Sequence, residues 1–290
     1  KMMWDVLVSP FTEFQFMRAA LVSVVFLALS AAPVGVFLVI RRMSLMGDAL
    51  SHAVLPGAAA GYMLAGLSVP AMSLGGFVAG VVMAVLAGLV SRFTTLKEDA
   101  SFAAFYLSSL ALGVLMVSRG GNNVDLLNLL FGSILGIDTA SLALIASVAS
   151  VTIVALAVMY RPLVMESIDA LFLRAVNGKG SWWHLLFMLL VVLNLVAGFQ
   201  ALGTLMSVGL MMLPAISARL WSQRLGVILA CSAFIALVCG YGGLLLSFYI
   251  EIPSGPAIIL LCGGMYLLSV ILGKEGGLVA QWVRGRHKKA

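Results

Sequence analysis

Residues 16–57 read FMRAALVSVVFLALSAAPVGVFLVIRRMSLMGDALSHAVLPG. The first part, Phe16 to Ile40, is an almost unbroken apolar run, and at 1.5 Å rise per residue it is long enough to cross a hydrocarbon core of about 30 Å as a helix. Arg41 and Arg42 stop it with two charges. A second apolar stretch begins within a few residues of them, yet it admits a carboxylate, Asp48, and an imidazole, His52. An ionised Asp inside a span costs on the order of 3 kcal/mol on insertion scales, so such residues mark a pathway or a site by default.

Similar runs recur along the chain. Its 290 residues are 62% hydrophobic and 10% charged with a mean hydropathy of +1.14, against roughly 25% charged residues in a soluble domain. This is the composition of an all-α polytopic membrane protein, since barrel strands would be shorter and would alternate. Nine candidate spans fall at about 16–40, 46–66, 71–91, 99–117, 139–160, 183–200, 204–218, 226–248 and 255–272. Alternate crossing then gathers all but Lys1, Arg18 and Arg119 of the 17 Lys and Arg residues on one side. The positive-inside rule makes that side cytoplasmic, with the C-terminus inside and the N-terminus outside.

The net charge of +6 is spread over the ends of apolar runs, which speaks of membrane orientation and against nucleic-acid binding. No secretory signal is visible, so the first span is expected to stay in the mature protein. Cys231, Cys239 and Cys262 lie in apolar runs without a CxxC pair, which argues against disulfides and thiolate zinc sites and for packing roles. Small-residue spacings, Gly57 with Gly61 and Gly76 with Gly80, permit close helix packing.

Two connecting segments and the tail stand out. Residues 119–137 begin as a polar turn and continue as an apolar stretch too short to cross, which predicts an interfacial or re-entrant outer segment. Residues 161–182 read as a short cytoplasmic helix capped by Ser167 and ended by Gly178, suited to headgroups or a soluble partner. Residues 273–290 form a basic tail that includes His287.

Asp48 lies about 9 Å along a helix from Arg42, and His52 about 15 Å. Being four residues apart, they share a helix face, so both could reach one ion. Carboxylate oxygen and imidazole nitrogen are ligands for zinc, manganese and iron, and the open position of such a pair favours zinc. The same spacing also fits two polar groups that merely hydrogen-bond neighbouring helices. Ser44 and Ser51 could orient or hydrate a site, while water, Asn123, Asn194 or Gln200 could complete it. Glu98 and Asp99 suit a helix N-terminus, Asp125 and Glu251 face outside, and His184 beside Trp182 and Trp183 reads as an interfacial anchor. With no GxxxxGK[ST], HExxH or GxSxG, the chain lacks P-loop, zinc-protease and serine-hydrolase motifs. A proton-driven metal transporter and an intramembrane metal-dependent enzyme stand as alternatives to an ATP-driven one.

The stretch RRMSLMGDALSHAVLPG resembles the signature of the membrane permeases of bacterial ABC importers for zinc, manganese and iron. Further matches occur in the family's order at KEDASFAAFYLSSLALGVL (97–115), VDLLNLLFGSILGI (124–137), GTLMSVGLMMLPAISARL (203–220) and IPSGPAIIL (252–260). The resemblance covers nearly the whole chain. It implies one permease domain over residues 1–290, a type II bundle like that of vitamin B12 and siderophore importers, in a bacterial inner membrane. It further implies a homodimer, two cytoplasmic ATP-binding subunits and an extracytoplasmic metal-binding protein, with metal as cargo and no permanently bound cofactor. Asp48 and His52 match the family's central metal site. Residues 161–182, with Glu166, Asp169 and Gly178, match its coupling region. Glu251 stands where the family often has Asp before IPSGP.

Overall fold

The computed structural model describes residues 7–66, 68–94, 98–119, 137–168, 180–280 and Trp282. Among them the regular elements are helices: α1 Ser9–Glu13, α2 Gln15–Ile40, α3 Ser44–Ala65, α4 Val69–Phe93, α5 Glu98–Arg119, α6 Thr139–Ile168, α7 Gly180–Leu202, α8 Thr204–Arg219, α9 Leu225–Ile250 and α10 Ser254–Leu272. Each of the nine sequence-predicted segments overlaps a helix from α2 to α10. Six of these helices, α2, α4, α6, α7, α9 and α10, are long and apolar enough to cross a membrane on length and composition. The apolar parts of α5 and α8, Ala100–Met116 and Met206–Arg219, are shorter, and α3 is diluted by Ser, Gly, Asp48 and His52.

The bundle is layered around α2. Two thirds of the most apolar window of α2 is buried (67%), against 33% in α4, α6 and α9. A helix apolar on every side, as α2 is, belongs inside a bundle or a bilayer, and α6, α7, α8 and α9 pack on it. The outer helices keep Val154, Val158, Phe234 and Leu260 exposed, which costs nothing where the surrounding solvent is lipid.

Small residues set the closest approaches. A Cβ on Gly35 would overlap the Met211 carbonyl, so α2 and α8 meet backbone to backbone. Gly57 and Gly61 lie against the backbone of Gly75 and Ala71 and draw α4 onto α3. Gly76 admits Val54, and Gly80 admits Val192 of α7. At the N-terminal end, Phe11 stacks on Tyr241 with centroids 5.1 Å apart, and the Tyr241 hydroxyl donates to the Leu7 carbonyl at 2.6 Å.

Two connecting segments differ from expectation. Helix α6 does not stop near residue 160: it runs through Arg161 and Pro162 to Ile168. Ser167 is therefore helical, with its hydroxyl donating to the Leu163 carbonyl at 2.7 Å instead of capping a new helix. Thirty residues span about 45 Å, more than the hydrocarbon core requires, so a straight α6 projects beyond it. Residues 169–179, with Asp169 and Gly178, lie outside the described residues, as do 120–136, with Asn123 and Asp125, and 283–290 of the tail. The near part of the tail returns to the bundle, where the Glu275 N–H donates to the Leu220 carbonyl at 3.0 Å.

Candidate functional site

The opening stretch folds around a tight corner. The Arg42 N–H donates to the Val39 carbonyl (3.1 Å) and the Met43 N–H to Leu38 (2.9 Å), with Arg42 left-handed at φ 58°. This is a Schellman turn that closes α2 with a non-glycine residue where glycine is usual. It starts α3 at Ser44, which carries Asp48 and His52 on successive turns.

His52 Nε2 lies 3.7 Å from Asp48 Oδ1, with the Asp48 side chain 58% exposed and that of His52 26%. The other ring nitrogen, Nδ1, is buried and has no hydrogen-bond partner among the described residues. Tyr106 of α5 stacks on the imidazole, with centroids 5.8 Å apart and planes inclined by 29°. The predicted pair is thus one face of one helix, open on the carboxylate side. A divalent cation bridging Asp48 and His52 Nε2 would gain two ligands from this chain, fewer than a closed transition-metal site needs. Among the described residues no group of three or more His, Cys, Asp or Glu could hold a metal.

Other predicted contributors are committed elsewhere. The Ser51 hydroxyl donates to the Asp48 backbone carbonyl at 2.7 Å. Asn194 is buried between α6 and α7, where its amide donates to Thr152 Oγ1 (2.8 Å) and to the Leu190 carbonyl (2.9 Å). Glu251 is exposed as the left-handed C-cap of α9, φ 57°. Cys239 and Cys262 are buried and free, as suits packing groups. The side chains of Glu98, Asp99 and Gln200 lie outside the described residues.

A second ionisable cluster was not foreseen. Arg41 Nη2 pairs with Glu166 Oε2 at 2.8 Å, both side chains less than a tenth exposed. His184 Nδ1 is 3.5 Å from Glu166 Oε1, and the Arg41 guanidinium lies 4.6 Å above the Phe187 ring. Read singly, these residues are a membrane-boundary arginine, a coupling-region acid and an interfacial histidine; folded, they join the ends of α2 and α6 to the start of α7. No helical spacing could have found them, because Arg41 and Glu166 are 125 positions apart and His184 lies on a different helix from either. Next to this cluster a cavity of about 350 Å³ opens between the ends of α2, α6, α8 and α9, and its lining includes neither Asp48 nor His52.

Residues 13–273 match the model of the ABC 3 transport family. The chain belongs to that family. This ABC 3 transport chain is 28% identical to a manganese transport system membrane protein, MntC, of Halalkalibacterium halodurans, over 96% of this chain and 94% of that one. It is 27% identical to a chelated iron transport system membrane protein, YfeD, of Yersinia pestis, over 93% and 89%. Its fold follows a chain of the solved PsaBC complex of Streptococcus pneumoniae bound to Fab, with a TM-score of 0.84, 26% identity and coverage of 97% and 98%. The chain is a multi-pass, all-helical permease of the metal ABC importer family.

Proposed function

We propose that this chain forms the translocation pathway of an ATP-driven importer of a divalent first-row transition metal. The observation that carries the reading is the Asp48–His52 pair, 3.7 Å apart on one face of α3 with its carboxylate open, in a chain of a metal-permease family. Metal entering from the outer face binds transiently to the Asp48 carboxylate and His52 Nε2 and leaves inward. With few protein ligands the site binds weakly enough to release its cargo, which a conduction pathway requires. The chain itself makes and breaks no covalent bond.

The sequence alone leans to zinc. Relatives named for manganese and chelated iron shift the preference to manganese first and iron second, and oxygen-rich coordination completed by water also suits manganese better than zinc. The working unit in this reading is a homodimer of nine-span, type II subunits in a bacterial inner membrane. Its N-terminus is outside and its C-terminus inside, two ATP-binding subunits dock on residues 161–182, and a separate extracytoplasmic protein delivers metal.

The test is uptake of Mn²⁺, Fe²⁺ and Zn²⁺ into proteoliposomes holding the chain with its ATP-binding and metal-binding partners. Uptake that needs ATP, favours Mn²⁺ and disappears in Asp48→Ala/His52→Ala is expected. Uptake driven by a proton gradient without ATP overturns the reading, and so does full uptake by the double variant with intact assembly.

A further inference from the structure

We infer that Tyr106 is the positioning residue of the cation site, its ring holding the His52 imidazole so that Nε2 stays on the Asp48 side. The inference rests on the reading of Asp48 and His52 as cation ligands and adds a residue from a different helix. A metal-binding histidine is ordinarily oriented by a hydrogen bond from its second ring nitrogen to a carboxylate or carbonyl. In this chain that nitrogen, Nδ1, is buried without such a partner among the described residues, so none of their hydrogen bonds sets the ring. Stacking does: the Tyr106 ring lies 5.8 Å from the imidazole at an inclination of 29°, within the range in which offset aromatic pairs attract.

The placement of Tyr106 is itself determined by a seam. Ser109 Oγ donates to the Ala53 carbonyl at 3.4 Å, Leu110 packs with Leu55 and Ala58, and Gly113 lies against Pro56, where an added Cβ would meet the proline nitrogen at 3.3 Å. Residues 106, 109, 110 and 113 follow helical periodicity on one face of α5. The pairs Tyr106–His52, Ser109–Ala53 and Gly113–Pro56 rise in the same order, so α3 and α5 run parallel and Tyr106 is carried to the level of the site. A histidine oriented by stacking gains no basicity of the kind a carboxylate partner gives metal-bound histidines, and is therefore a weaker ligand. That is the property a site needs if it must release its ion.

The test is direct Mn²⁺ binding to the full-length chain in lipid nanodiscs, followed by loss of the aqueous Mn²⁺ electron paramagnetic resonance signal. Electron spin-echo modulation reports whether a histidine nitrogen is coupled to the bound ion. Wild type and Tyr106→Phe are expected to bind alike with a nitrogen coupling. Tyr106→Ala is expected to weaken binding by about tenfold or more, the scale for loss of a ligand-orienting group, and to lose most of the nitrogen coupling. On a His52→Ala background, Tyr106→Ala should change nothing further.

Tyr106→Ala binding like wild type with full nitrogen coupling overturns the proposal. So does a loss that multiplies with that of His52→Ala, or a Phe variant as weak as the Ala variant. Should the Ala variant not fold, Tyr106→Leu, which keeps bulk without an aromatic face, is judged by the same criteria. Wild type that binds no Mn²⁺, or binds it undiminished after Asp48→Ala, removes the cation site and Tyr106's role together; the Tyr106 outcomes above leave the site standing.

Discussion

Two places in the molecule combine an acid with a histidine, and they are built in opposite ways. At Asp48 and His52 the carboxylate is more than half exposed and the nearest approach is 3.7 Å. At Glu166 and His184 the carboxylate is buried, held at 2.8 Å by Arg41 and flanked by the imidazole. The first pair sits on one helix and has spare coordination; the second ties three helices and engages both carboxylate oxygens. An ionisable residue in an apolar chain is thus not one signal but two. A carboxylate with unspent lone pairs can take a passing cation, whereas one with its charge already matched cements the fold.

Substitutions can break that comparison, and the largest effect is expected at the buried cluster. Glu166→Ala or Arg41→Ala removes one member of a buried ion pair and its short charge-assisted hydrogen bond, which costs about 3–5 kcal/mol. Thermal unfolding in detergent should show a large fall in midpoint, with Glu166→Ala/Arg41→Met recovering part of it. Asp48→Ala and His52→Ala should do the reverse, abolishing metal uptake while stability changes by only about 1 kcal/mol, as for a partly exposed, loosely spaced pair. A stability loss at Asp48 rivalling that at Glu166 would erase the distinction.

His184→Ala gives a finer measure. It removes one flank of Glu166 and leaves the guanidinium in place, so a cost of about 1–2 kcal/mol is expected; a loss as great as that of Arg41→Ala would make the imidazole an equal partner.

The smallest effect is at Asp138, a carboxylate of a third kind, exposed and hydrogen-bonded. Its Oδ1 accepts the Ser141 N–H at 2.8 Å and caps α6, and the Ser141 hydroxyl and N–H hold its carboxyl below the ordinary carboxylate value. A depressed value means that the charged form is the one the fold stabilises. That stabilisation is fully present above the ordinary carboxylate range and is lost as pH falls through the depressed value. Asp138→Ala should cost about 1 kcal/mol at neutral pH, and the gap from wild type in unfolding midpoint should narrow in acid. A gap independent of pH would assign the cap no role for charge.

Much of this was legible in the residues themselves. Apolar runs and their flanking arginines located the long helices, because a lipid environment leaves few other ways to satisfy the backbone. The four-residue spacing of Asp48 and His52 placed them on one face, since neighbours on a helix are set by its pitch. Gly57 and Gly61 announced a close helix contact, and they lie against the backbone of Gly75 and Ala71. The extension of α6 to Ile168 was not legible, because Pro162, a usual helix breaker, is accommodated within it.

What the sequence determined by itself, then, is what depends on neighbours along the chain: where the helices lie, and the face shared by Asp48 and His52. The tertiary structure alone decided the partners across helices. It matched Glu166 to Arg41 across 125 positions, committed Asn194 to Thr152, and set Tyr106 against His52. Local periodicity carries no information about which faces meet, since that follows from close packing of small residues and from the cost of leaving any buried charge unpaired.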